Sequence, residues 1–231
     1  MGANLNFLKA KDSYKFAAKV QDMMGKSLCE LLKIHCLKEF DRVFEFGCGT
    51  GEFSQKLQKN IIFKDYVRND ILDYKSEFEV EIFDMNCIPK AFFEGQKFDL
   101  IASNATLQWL KNDIFTNLHT LLKKDGFLLL SSFGEENLKE IKSLTGLSLP
   151  YRSLKEYRNL LKNFEILELK EELNQLKFES ALEAFRHLKL SGVNSLGRFY
   201  LGKETLLKMQ ENFNNSLTYH SIYILCQKRI K

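Results

Sequence analysis

Arg42-Val43-Phe44-Glu45-Phe46-Gly47-Cys48-Gly49-Thr50-Gly51-Glu52-Phe53 is the stretch that decides the fold of this chain. Residues 42–46 read as a short strand ending at Gly47, and residues 52–58 open a helix with Phe53 and Leu57 four apart on one face. Three glycines alternate between the two elements. Glycine lets the backbone turn sharply and approach a ligand with no Cβ in the way. The helix N-terminus that follows offers unpaired N–H groups. The pattern is acidic-x-G-x-G-x-G, whereas a dinucleotide fingerprint has its third glycine one residue later. Glu52 would also sit badly against a pyrophosphate. The turn therefore suits a different small ligand, or else it is a tight strand-to-helix turn and nothing more.

Strand and helix patterns alternate on both sides of this turn. Residues 14–34 are expected to be helical, with Phe16, Val20, Met24, Leu28, Leu31 and Leu32 near helical spacing. Strands are expected at 65–69, 80–83, 98–103 and 126–132, the last an apolar run suited to a buried parallel strand. Residues 109–122 read as a helix ending before Asp125-Gly126, a turn signal. Beyond it, helices are expected within 140–161 and a strand at 164–169. A helix at 180–190, a loop with Gly192, Gly197 and Gly202, a helix at 203–213 and a strand at 217–226 complete the chain. Alternation of this kind argues one doubly wound α/β domain over residues 1–231. About 47 residues separate the last two strands, where a tight hairpin needs only a few. Residues 171–217 are expected to form a helical cap over the site, and residues 1–35 a helical lid.

With 45% hydrophobic residues and 20 Phe, 231 residues can build one core with helices on both sheet faces. The net charge of +4 is spread along the chain with Lys and Glu interleaved, which reads as a solvated surface without a nucleic-acid arm. The five cysteines are odd in number and form no CxxC pair, so reduced thiols are expected and a zinc site is not. No apolar run approaches the roughly 18 residues of a membrane span. Residues 1–16 lack the apolar core of a signal peptide, and Asn6 breaks the myristoylation pattern. A cytoplasmic protein binding neither nucleic acid nor membrane is expected.

The segment from Glu45 to Gly51 resembles motif I of class I S-adenosylmethionine-dependent methyltransferases. The resemblance implies that Gly47, Gly49 and Gly51 pack beneath the methionine part of S-adenosylmethionine while Glu45 orders the loop. It further implies Asp70 on the ribose hydroxyls and Asp84-Met85 at the adenine. Phe98-Asp99-Leu100-Ile101-Ala102-Ser103-Asn104-Ala105-Thr106-Leu107-Gln108-Trp109 is similar to the fourth-strand segment of a narrower family, the biotin-pathway malonyl-acyl-carrier-protein O-methyltransferases. Tyr14 with Ala18-Lys19-Val20-Gln21 resembles that family's opening helix. Phe185-Arg186-His187-Leu188-Lys189 followed by Gly192 resembles its R-x-L-K…G segment, and Leu217-Thr218-Tyr219-His220 its last strand.

This resemblance implies a Rossmann-like class I methyltransferase fold: a seven-stranded, mostly parallel sheet with an antiparallel last strand and a helical cap. Tyr14, Gln21, Asn104 and Trp109 would join the cofactor residues, with Arg186 and Tyr219 on the substrate side. The implied reaction methylates the free carboxylate of a malonyl thioester on acyl carrier protein, or on coenzyme A. That carboxylate is ionised at neutral pH, so neither a general base nor a metal is expected. An acidic carrier would need a basic surface, for which Arg152, Lys155, Arg158, Lys162, Lys189, Arg198 and Lys203 are available. The rival readings are a carboxyl methyltransferase of another small acid and a non-catalytic assembly protein that keeps the fold. A nucleic-acid methyltransferase is disfavoured, because the fourth strand ends Ser103-Asn104-Ala105-Thr106 and not in an N/D-P-P-Y string.

Overall fold

The computed structural model describes residues 19–75, 77–190 and 201–229. The expected alternation is present. Helix α1 (Lys19–Ile34) precedes β1 (Glu39–Phe46), α2 (Glu52–Gln58), β2 (Ile62–Asp70), β3 (Glu81–Ile82), α3 (Lys90–Gly95) and β4 (Phe98–Ser103). Then come α4 (Ile114–Leu121), β5 (Leu122–Phe133), α5 (Lys139–Thr145), α6 (Leu154–Leu160), β6 (Phe164–Lys177), α7 (Ala181–Leu190), α8 (Lys203–Phe213) and β7 (Ser216–Lys228). The sheet order is β3-β2-β1-β4-β5-β7-β6, and β7 alone runs against its neighbours. The order reverses between β1 and β4, where α/β sheets open a crevice at the carboxyl ends of their strands.

Period-two burial divides the core between the two sheet faces. Val43, Leu100, Leu129 and Leu225 pack on one face with α1, α2, α7 and α8. Phe44, Ile101, Leu128 and Ile224 pack on the other with α4 and α6. Helix α1 lays Val20, Met24, Leu28, Leu31 and Leu32 into the first layer, so from residue 19 onward the expected lid is a core element. Residues 1–18, including Tyr14, lie outside the described residues.

Two elements differ from expectation, each for a tertiary reason. The helix expected over 109–122 is a single 3-10 turn at Leu107–Trp109 followed by α4. The Arg152 guanidinium binds the carbonyls of Leu107 and Leu110, and Asn86 Oδ1 accepts the Lys111 N–H at 2.9 Å. Distant residues thus hold backbone groups that a continuous helix would use itself. Strand β6 runs to Lys177 and not to residue 169, pairing with β7 throughout. Its outer half, Lys170-Glu171-Glu172-Leu173-Asn174-Gln175, is polar because it is an edge strand, so apolar alternation underestimates it. The insertion between the last two strands accordingly spans residues 178–215, and its Gly192, Gly197 and Arg198 lie outside the described residues.

Candidate active site

A cavity of about 310 Å³ opens at the switch point. It receives one loop from each of β1 to β4: Gly47 and Gly49, then Asp70, then Asp84 and Met85, then Asn104. Trp109, 36% exposed, stands at the same wall. These residues are far apart in sequence, and parallel strands bring them together because each must end on the same side of the sheet.

Two glycines have separate physical reasons. A Cβ on Gly47 would collide with the Thr106 side chain, so the first turn passes tightly against the β4 loop. Gly49 has φ +56, and a Cβ there would stand in open space. Its N–H donates to Asp70 Oδ2 at 2.8 Å, and Asp70 Oδ1 accepts from Leu72 N at 3.0 Å. Asp70 is therefore a brace between two loops as well as a cavity carboxylate. Burial pushes its carboxyl up, and the backbone donors oppose that rise. Asp84 caps the turn at Met85–Cys87 by accepting from Asn86 N at 2.8 Å. Asn104 is bound at both ends, donating to Gln21 O at 2.9 Å and accepting from Ser131 Oγ at 2.7 Å.

The other expected site residues fall elsewhere. Glu45 is fully buried beneath the turn, where Oε2 accepts from Ser54 Oγ and Tyr66 Oη, both at 2.6 Å. It joins β1, α2 and β2, and it does not line the cavity. Neither Gln21 nor Gly51 lines it; Gln21 takes part through its backbone carbonyl. Tyr219 is buried, with its hydroxyl 2.9 Å from His187 Nε2, and burial raises its pKa. Arg186 is exposed on α7. Neither borders the cavity. Sequence reading missed Ile71, Leu72, Tyr74, Phe83 and Thr106 as wall residues. Their one signal is adjacency to a strand end that carries an acid or a glycine. Of the basic residues, Arg152 is bound to the 107–112 segment, and Lys155, Arg158, Lys162, Lys189 and Lys203 are exposed.

Burial lifts the Glu45 carboxyl from the ordinary value near 4.5 to about 7, against the two hydroxyl donors and the nearby Arg68. The folded state therefore keeps a proton that the unfolded chain releases near 4.5. The stabilisation is fully present below that pH and is lost as pH rises towards 7. Thermal unfolding of wild type and Glu45→Gln near pH 5 and near pH 8 checks this. Wild type is expected to lose about 3 kcal/mol relative to the variant on going to the higher pH. A stability difference that does not change with pH contradicts it.

The donor set fits one kind of ligand. Asp70 and Asp84 face the cavity, while no Lys or Arg is among its described lining residues. A polyphosphate finds no counter-charge there. A cationic ligand with hydroxyl and amino donors does, together with apolar wall at Ile71, Leu72, Phe83 and Met85.

The sheet order is that of a methyltransferase domain, and the family model described as a methyltransferase domain matches residues 14–184. A SAM-dependent methyltransferase from Archaeoglobus fulgidus shares the fold at TM-score 0.54 and 14% identity, over 88% of this chain and 94% of that one. Malonyl-[acyl-carrier protein] O-methyltransferase of Calditerrivibrio nitroreducens is 34% identical, covering 96% of this chain and 95% of its own. The Bacteroides thetaiotaomicron protein of the same name is 32% identical over 96% of each. The chain belongs to the malonyl-[acyl-carrier protein] O-methyltransferase family.

Proposed function

We propose that this chain methylates the free carboxylate of a malonyl group carried as a thioester by acyl carrier protein, the first step in making the pimeloyl moiety of biotin. The observation that carries this reading is the end-to-end match to proteins of that name, with the cavity intact at the switch point. S-adenosylmethionine, when bound, supplies a methyl group on a sulfonium, so the chain needs no nucleophile of its own. Gly47, Gly49, Asp70, Asp84, Met85, Asn104 and Trp109 would hold it. The remaining task of the protein is to orient the acceptor carboxylate and keep water away from it. We place the activity in the cytoplasm. All five cysteines are free, as suits a reducing compartment, and no described helix is long and apolar enough to cross a membrane.

Transfer from labelled cofactor to malonyl carrier protein, malonyl-coenzyme A and free malonate, run side by side, tests the substrate. The carrier protein is expected to react fastest; equal rates with free malonate would favour a small-acid methyltransferase.

Arg186 is the cation we assign to the malonyl carboxylate. It does not line the cofactor cavity, but it is exposed on α7, within the insertion before β7, and so open to an incoming acid. A guanidinium pairs with a carboxylate through two parallel N–H bonds, which fixes direction as well as position. Arg186→Ala is expected to lower kcat/KM roughly 10- to 150-fold with cofactor affinity unchanged. Full turnover with malonyl carrier protein, or loss of cofactor binding alone, would pass the role to Tyr219.

A further inference from the structure

A buried charge stands beside the cavity without lining it. Arg68 lies on β2 two residues before Asp70 and is 9% exposed. Its Nε has no hydrogen-bond partner among the described residues. Two rings lie against the guanidinium: its carbon is 4.5 Å from the Tyr66 ring centre and 4.4 Å from that of Phe78. Each ring leads to the cofactor turn. The Tyr66 hydroxyl donates to Glu45 beneath the turn. Phe78 packs where a Cβ on Gly51 would come within 2.8 Å of its ring. Between Asp70 and Phe78 the chain supplies Ile71, Leu72 and Tyr74 to the cavity wall.

We propose that Arg68 is a positioning residue for the cofactor, clamping Phe78 to hold the 71–74 wall and backing the Tyr66 ring whose hydroxyl holds Glu45. The proposal rests on the cavity being the cofactor site. A cation between two rings is attracted most strongly when water is excluded, as here. Arginine suits the place better than lysine, because a planar, weakly hydrated guanidinium stacks on rings while an ammonium holds its water. Ser54 from α2 and Tyr66 from β2 donate to Glu45, and its charge is felt by Arg68 and Asp70 from β2, Cys48 from the turn and Cys29 from α1. Among them Arg68 is the cation that favours the ionised acid, and Asp70 opposes it. The clamp thus couples the charge state beneath the turn to the position of the wall beside it.

The test uses Arg68→Met, Arg68→Lys and Phe78→Leu in the full chain. S-adenosylmethionine affinity is read by calorimetry. The Glu45 titration is read in the ligand-free protein from its side-chain carboxyl resonance, identified by its disappearance in Glu45→Gln. Arg68→Met is expected to bind about tenfold more weakly and to move the Glu45 titration to higher pH. Arg68→Lys and Phe78→Leu should also bind more weakly but leave that titration in place, since the charge remains. A purely structural loss would not separate the variants in this way. Affinity within twofold of wild type in Arg68→Met, or an unmoved titration, overturns the proposal. If Arg68→Met does not fold, wild-type affinity in both other variants overturns it. Failure of the wild type to bind, or undiminished binding by Gly49→Val, would instead remove the cofactor reading.

Discussion

Replacing Gly49 by valine is expected to abolish S-adenosylmethionine binding while the chain stays folded. Gly49 sits at φ +56 on the cavity wall, and a Cβ there meets nothing within 4 Å. The branched side chain would therefore displace ligand and not protein. The left-handed backbone costs a β-branched residue roughly 1–3 kcal/mol, against a typical domain stability of about 5–15 kcal/mol. Calorimetry for binding and circular dichroism for folding separate the two effects. A folded variant with unchanged cofactor affinity would show that the cavity is not the site. Gly47→Ala is the contrasting case: its Cβ collides with Thr106, so it should lower thermal stability as well as binding.

Asp70→Ala is expected to weaken cofactor binding by at least roughly 100-fold, since two charge-assisted bonds of about 1.5–3 kcal/mol each are lost. The side chain does two things at once. It faces the cavity as a carboxylate, and it binds the N–H groups of Gly49 and Leu72, holding the first two loops in register. Alanine leaves both amides without that acceptor and frees the turn that carries Gly49. Stability without cofactor should fall less than affinity, because removing a buried carboxylate also removes its desolvation cost, the cause of its raised pKa. Asp70→Asn, which keeps one oxygen acceptor, should fall between wild type and alanine. Titration of all three with S-adenosylmethionine measures the ladder; a loss below tenfold in Asp70→Ala would deny Asp70 its place at the ligand.

α2 and α8 were legible in the sequence to their ends, because local apolar spacing and bounding glycines suffice for short surface helices. The glycine turn was legible from the order strand, glycines, helix, whereas Asp70 and Asp84 were marked by the family resemblance alone: β2 is mostly polar and β3 is two exposed residues, so neither strand announces its acid by pattern. Glu45 was legible as important but not as buried support, since its partners Ser54 and Tyr66 lie 9 and 21 residues away. Trp109 was placed on a long helix that Arg152, more than forty residues later, prevents. Arg152 itself looked like surface charge until its carbonyl partners were in view.

The class of fold and the glycine turn follow from local patterning, strand then glycines then helix, and the cofactor and its acids from the resemblance those motifs carry. Tertiary structure alone decided which of those residues face the cavity and which brace it from below. It also decided where β6 ends and why the chain breaks before α4. The physical reason is one of partners. Burial, desolvation and a claimed backbone carbonyl depend on what arrives from elsewhere in the chain, and no spacing within a single segment encodes that arrival.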